Sequence, residues 1–223
     1  MSDGIAYNSR SLAVGGTGSG KSELLNVQFS AMRCQRVLYD SKREFAITGV
    51  EASERAAAID WREPTIHFQP GEDARRDAQE LFAAAFARPG AIVVCVHELG
   101  DLCDYNANGA PPAARRYIVQ GRAVRKGLLG GTQRPVGIPK QALTEAGDFF
   151  IFVPRLSDVD HTTIARELAI SPDELAARID TVHERYGEHA FLRWSRRGRE
   201  LVVCPPLPAH VRRHNIVRRV EDA

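Results

Sequence analysis

The sequence predicts an α/β chain: a central, mainly parallel sheet flanked by helices, with a β-hairpin near the C-terminus. Three observations predict it. Apolar runs of strand length alternate along the chain with amphipathic segments of helix length. A glycine-rich loop, GGTGSGKS (15–22), stands between a short apolar run and a helix-like segment. Ala91–Val96 (AIVVCV) is apolar at every position, as a strand buried on both faces requires.

The elements follow in order. SLAV (11–14) is a strand leading into the glycine loop, and KSELLNVQFSAM (21–32) is the helix after it. RVLYD (36–40) is a branched and aromatic strand ending in a polar turn, and TIHFQP (65–70) is another, closed by Pro70-Gly71. Ala74, Ala78, Leu81, Phe82, Ala85 and Phe86 recur at helical spacing until Pro89-Gly90. Beyond strand 91–96, a loop rich in Asn, Gly and Pro (104–112) leads to a helix over 113–126. Strands GLLGGTQ (127–133) and DFFIFVP (148–154) follow. Ser171-Pro172-Asp173-Glu174 is a capping box with Pro at the first helical position. HAFLRW and RELVVC flank Arg197-Gly198 and form the hairpin.

At 223 residues the chain reads as one domain, 1–223, with a core over about 11–170 and a C-terminal helix, hairpin and basic tail over about 171–223. Hydrophobic residues at 43% and charged residues at 26% are ordinary for a globular protein. No apolar run is long enough to span a bilayer, and MSDGIAYNSR has neither a basic start nor an apolar core, so a cytoplasmic location is expected. The four cysteines form no C-x-x-C pair and read as free thiols. His210 and His214 have i,i+4 spacing but no further ligand nearby, so they read as surface histidines. The net charge of +2 hides an asymmetry: from Arg185 onward nine Arg face four acids, giving +5 and leaving −3 for the rest. A basic C-terminal region suits a polyanion or is simply a solvated face; on the first reading Arg193, Arg196, Arg197 and Arg199 around the hairpin are the candidate DNA contacts.

The glycine loop has the spacing G-x-x-x-x-G-K-S. Glycines let backbone N–H groups converge on a phosphate at a helix N-terminus, so Gly15, Gly16, Thr17, Gly18, Ser19, Gly20, Lys21 and Ser22 are the expected ATP cradle. Lys21 is placed for the β/γ-phosphates and Ser22 for Mg²⁺. Hydrolysis also needs a carboxylate at the end of a neighbouring strand to orient water. Glu98, directly after AIVVCVH, is that general base, with Asp101 behind it. The position before it, ordinarily an Asp that holds the Mg²⁺ water shell, is His97, a neutral imidazole able to accept from a metal-bound water, so His97 and Glu98 are expected around the water shell of the Mg²⁺ on Ser22. Gln133, ending the next strand in TQRP, is placed to report on the γ-phosphate, since an amide both donates and accepts.

With these residues assembled, the chain resembles the FtsK/HerA superfamily of DNA translocases, which implies a P-loop NTPase fold of the RecA-like (ASCE) type. The resemblance rests on GGTGSGKSELL, VLYDSKREF, VVCVHELGDL, GRAVRKGLLGGTQRP and the Asp160 region, over about residues 11–170. It implies an ATPase that moves double-stranded DNA, working as a ring of identical subunits, a hexamer or pentamer. It also implies an arginine finger at Arg122, with Arg115, Arg116 and Arg125 as rivals on the same segment. In size and layout the chain is similar to the short genome-packaging ATPases of tail-less internal-membrane viruses, which implies a capsid or portal vertex partner. Transfer or segregation of plasmid or chromosomal DNA is the alternative within the superfamily. A small-molecule P-loop kinase and a nucleotide-gated assembly factor without turnover are the alternatives outside it. TTIARELAISPDEL (162–175) has a helix–turn–helix rhythm that admits base-reading DNA contact or two ordinary packed helices.

Overall fold

In the computed structural model, which describes residues 10–103, 109–152 and 156–222, the strand runs stack into one nine-stranded sheet. The strands are β1 (Arg10–Val14), β2 (Gln35–Tyr39), β3 (Phe45–Ile47), β4 (Ala52–Ser53), β5 (Thr65–Phe68), β6 (Ile92–Val96), β7 (Lys126–Thr132), β8 (Asp148–Phe152), β9 (Phe191–Ser195), β10 (Glu200–Cys204) and β11 (Val217–Arg219). The sheet order is β10-β9-β8-β1-β7-β6-β2-β5-β4, and β3 pairs with β11 in a separate two-stranded ribbon. Strands β4 to β8 run parallel with β1, and the β9–β10 hairpin closes one edge antiparallel to β8.

The apolar strands are double-sided because helices cover both faces. Along β6, Ile92, Val94 and Val96 join one core while Val93 and Cys95 join the other. The second core is built by α1 (Lys21–Ala31), through Leu24, Leu25 and Phe29, together with Phe45, Ile47 and Val217 of the β3–β11 ribbon. The first core takes the apolar faces of α2 (Ala74–Ala87), α3 (Pro112–Gln120), α4 (Lys140–Glu145), α5 (Asp158–Leu168) and α6 (Pro172–Tyr186). A four-residue helix, α7 (Ala209–Arg212), precedes β11. Side chains alternate across a strand, so this two-sided covering accounts for the unbroken apolar runs.

Some elements depart from expectation. The helix predicted over 113–126 ends at Gln120; a 3-10 turn, Gly121–Val124, follows, and Arg125 takes a left-handed φ of 62°. The reason is Lys126, which is buried at the start of β7 and donates to the carbonyls of Arg88 and Gly90 at 2.7 and 2.8 Å, so the chain must turn before it. Strand 148–154 is β8 as far as Phe152, and its last two positions lie outside the described residues. So do 104–108 of the expected loop and the first nine residues. The pair Gly130-Gly131 in β7 has a packing cause: a Cβ on Gly131 would stand 2.3 Å from the His97 carbonyl oxygen and 2.9 Å from Leu25. Only glycine lets α1 and the end of β6 close on that strand. β3, β4, α4, α7 and β11 were not foreseen.

Candidate nucleotide site

The site forms where β1, β7 and β6 end side by side, at the C-terminal edge of a parallel sheet. The chain leaves β1 at Val14 and crosses the loop 15–20, and Gly20, with φ 101°, hands it to α1. A side chain at that φ would be strained, so the position calls for glycine. Lys21 folds back and donates to the Gly16 carbonyl at 2.7 Å. Burial pushes its pKa down to about 8; the Glu98 charge opposes this and Lys42 adds to it. The Ser19 hydroxyl is buried with no hydrogen-bond partner among the described residues, an orphan donor inside the loop expected to cradle phosphate.

Glu98 caps a 3-10 turn, Leu99–Leu102, by accepting from the Gly100 N–H at 3.3 Å. Its other oxygen accepts from the Gln133 N–H at 3.2 Å. The Thr17 hydroxyl in turn donates to Gln133 Oε1 at 3.0 Å. The loop 15–20, the strand-end glutamine and the acid are thus linked across the ends of three adjacent strands. The Gln133 loop is also anchored from behind: buried Asp160, at the start of α5, accepts from the Val136 N–H at 3.0 Å. Asp101 accepts from the Ser41 hydroxyl at 2.5 Å, tying the Glu98 turn to the loop after β2. That loop is pinned by buried Asp40, which accepts from the Glu44 and Phe45 N–H groups, each at 3.1 Å.

His97 points elsewhere than the sequence suggested. Its Nε2 lies 2.6 Å from Asn26 Oδ1, one helical turn beyond Ser22, and its ring packs against Phe45 with centroids 4.0 Å apart. Burial is the main cause that pushes its pKa down to about 4, with Asp40 opposing and the Arg219 and His67 charges adding to the fall, so it is neutral at pH 7. A divalent cation therefore has the Ser22 hydroxyl and the Glu98 carboxylate to work with. Among the described residues no group of three His, Cys, Asp or Glu gathers to hold a metal alone. This donor set fits Mg²⁺ that arrives with its nucleotide, with phosphate oxygens and water completing the shell.

The remaining candidates lie away from this edge. Arg122 is exposed in the 3-10 turn before β7, whereas Gln133 follows the last residue of that strand. Seven residues at about 3.3 Å each put roughly 20 Å between them, so Arg122 is out of reach of the Glu98–Gln133 end of its own chain. Arg115 and Arg116 line a separate 720 Å³ groove with Arg75 and Lys140. The hairpin turn also faces away, since Ser195 pairs with Asp148 at the entry of β8. Arg193 is held by Asp148 at 3.0 Å, and Arg196 donates to the Ala146 carbonyl at 2.9 Å; Arg197 and Arg199 are exposed in the turn. The helix–turn–helix rhythm is α5 and α6 packed on the core, with Asp173 and Glu174 in the first turn of α6, the wrong sign for a phosphate-facing helix start.

Sequence reasoning missed the C-terminal segment at this site. A cavity of about 580 Å³ in front of Gly18–Ser22 is lined on its far side by Arg212, Arg213, Arg218 and Arg219. No helix among the described residues is long and apolar enough to cross a membrane.

No family profile and no curated protein matches this chain. Solved structures do. The genome-packaging NTPase B204 of Sulfolobus turreted icosahedral virus 2, in complex with ATP-gammaS, superposes with a TM-score of 0.72 at 16% identity, covering 92% of this chain and 100% of that one. B204 of Sulfolobus turreted icosahedral virus, described as a DNA-packaging ATPase, gives 0.68 at 15%, covering 92% and 100%. The cytoplasmic domain of the type VII secretion ATPase EccC of Thermomonospora curvata gives 0.54 at 12%, covering 92% of this chain and 24% of that one. With the sheet order and the loop geometry, these likenesses place the chain in the P-loop NTPase fold that the packaging and secretion ATPases share.

Proposed function

We propose that the chain hydrolyses ATP to move double-stranded DNA, as the motor of a viral genome-packaging machine. The observation that carries this reading is the linkage Thr17–Gln133–Glu98, which joins the phosphate loop, a sensing amide and a water-orienting carboxylate on three neighbouring strands. In this reading Lys21 leaves the Gly16 carbonyl and neutralises the β- and γ-phosphates. Two backbone N–H groups fix the Glu98 carboxylate, which accepts a proton from the attacking water. Ser22 would hold a Mg²⁺ ion that, when bound, polarises the phosphate oxygens. Loss of the γ-phosphate frees the Gln133 amide to re-bond with Thr17, and Asp160 ties that change to α5. The B204 proteins, named for genome packaging and similar over their whole length, support the choice of packaging.

A small-molecule kinase is the second reading, because a kinase uses an arginine-bearing flap over its phosphates and the C-terminal arginines resemble one. The two readings separate on DNA. ATP turnover should rise when duplex DNA is added, and Glu98→Gln should retain ATP binding while turnover falls about 10²–10⁴-fold. Turnover indifferent to DNA but stimulated by a small acceptor would favour the kinase. Wild-type rates from Glu98→Gln would remove Glu98 from the role of base.

A further inference from the structure

The C-terminal segment is fastened over the phosphate loop by bonds from three directions. Asn215 Oδ1 accepts from the Ser30 hydroxyl of α1 at 3.0 Å, and Ser30 Oγ accepts from the Ile216 N–H at 3.0 Å. β11 then pairs antiparallel with β3, Val217 opposite Ile47 and Arg219 opposite Phe45, and Val217 is buried in the α1 core. Beyond it the Val220 N–H donates to the Glu44 carbonyl at 2.9 Å. The backbone of the segment is therefore built into the fold, which sets where its arginines emerge.

Those places gather positive charge in front of the loop 15–22. Arg212, Arg213, Arg218 and Arg219 share the 580 Å³ cavity with Lys21, and Glu23 is the only carboxylate among the described residues that line it. Glu23 is already held by Arg212 at 3.4 Å. Gathered positive charge attracts a polyanion, and a nucleoside di- or triphosphate has the opposite sign. The lining also bears on which phosphates are met, since Lys21 and Ser22 belong to it and the residues beyond the loop on the hydrolytic side do not. It runs from Gly18 to Glu23 and on to Asn26, and includes none of Thr17, Glu98 and Gln133, the three residues on the hydrolytic side. Arg218 and Arg219 sit on β11 and line that same cavity.

Resting on the nucleotide reading above, we infer that Arg218 and Arg219 bind the α- and β-phosphates of the same subunit's nucleotide, so that the C-terminal segment acts as a clasp for ATP and ADP alike. A contact made equally before and after bond breaking is uniform binding: it lowers both dissociation constants and leaves the rate of the bound complex alone. This assigns to nucleotide a part of the basic tail that charge alone would assign to DNA.

The test is the double variant Arg218→Gln/Arg219→Gln, with Arg218→Gln alone in case the double variant fails to fold. Both arginines are exposed, so thermal unfolding without nucleotide should be unchanged or slightly raised as repulsion falls. By calorimetry at fixed Mg²⁺, ATP and ADP should each bind about ten- to a hundredfold more weakly, in line with the loss of charge-assisted hydrogen bonds. Arg→Lys at both positions should recover part of the affinity, since charge returns but the planar fork does not. Wild-type protein that binds ATP while the variants bind it equally well would overturn the clasp and leave the nucleotide reading standing. A loss confined to ATP would move the arginines to the terminal phosphate and overturn the assignment. A loss confined to duplex DNA would return the tail to nucleic acid. Wild-type protein that binds neither nucleotide would overturn the clasp together with the reading beneath it.

Discussion

At the scale of the residue, Lys21 carries the most consequence. Its ammonium is buried, so its pKa falls to about 8 from an ordinary 10.5, and its solvation is replaced by one carbonyl, that of Gly16. The charged form is the one burial penalises, so the unliganded protein should gain stability as pH rises from about 8 towards 10.5. Nucleotide affinity should run the opposite way. A bound phosphate favours the charged lysine and raises its pKa, so binding takes up a proton once the free lysine has begun to lose its own. ATP affinity should be flat between pH 7 and 7.5 and fall by up to about tenfold per unit above pH 8. Calorimetry in two buffers of different ionisation enthalpy reads the proton uptake directly. Lys21→Arg should retain some affinity and lose the pH dependence. A wild-type dissociation constant that stays level from pH 7.5 to 9.5 would show that Lys21 is already charged or does not meet the nucleotide.

At the scale of the element, the hairpin shows what charge counting resolves and what it does not. Four arginines in seven residues read as one patch, Arg193 to Arg199. Folding divides them: Arg193 is paired with Asp148, Arg196 is bonded to the Ala146 carbonyl and lies 3.5 Å from Glu167, and Arg197 and Arg199 remain exposed in the turn. Changing Arg197 and Arg199 to Ala should therefore flatten the log–log salt dependence of duplex binding by roughly 2, at about 0.9 per phosphate contact, without touching ATP affinity. Arg193→Ala should leave the slope unchanged and weaken the β8–β9 edge instead. An unaltered slope in the Arg197/Arg199 variant would make the turn a solvated surface. The same contrast explains which elements were legible. The phosphate loop, β6 with Glu98 and β7 with Gln133 are signalled by neighbours in sequence, and they come together through parallel pairing that a strand–helix alternation already implies. The β3–β11 ribbon joins residues about 170 apart through three-residue strands, and nothing local in VRR or FAI marks it. The end of α3 was misplaced because a helical pattern through GRAVRK hides a lysine whose partners, Arg88 and Gly90, lie on another segment.

At the scale of the whole molecule, the open question is how one subunit's chemistry reaches the next. Arg122 stands at the entry of β7, roughly 20 Å of strand from the Gln133 end, and it is exposed. If it neutralises charge in the transition state, it does so at a neighbour's nucleotide, as the resemblance to ring translocases implies; such fingers are worth about 10³–10⁵ in rate in the best cases. A monomer should then bind ATP yet turn it over slowly, and activity per subunit should climb with protein concentration as rings assemble. Arg122→Ala should bind ATP and assemble normally while losing most turnover. The sharper test mixes Arg122→Ala subunits with Glu98→Gln subunits, each nearly inactive alone. In a mixed ring some interfaces pair an intact Glu98 with an intact Arg122 from the adjacent chain, and those sites should recover turnover in proportion to their number. An arginine acting within its own subunit predicts the reverse, because no chain in the mixture carries both residues. Absence of recovery in rings whose mixed composition is established by native mass measurement, with both variants still binding ATP, would remove Arg122 from the interface and leave Arg115, Arg116 and Arg125 to be tried in the same way.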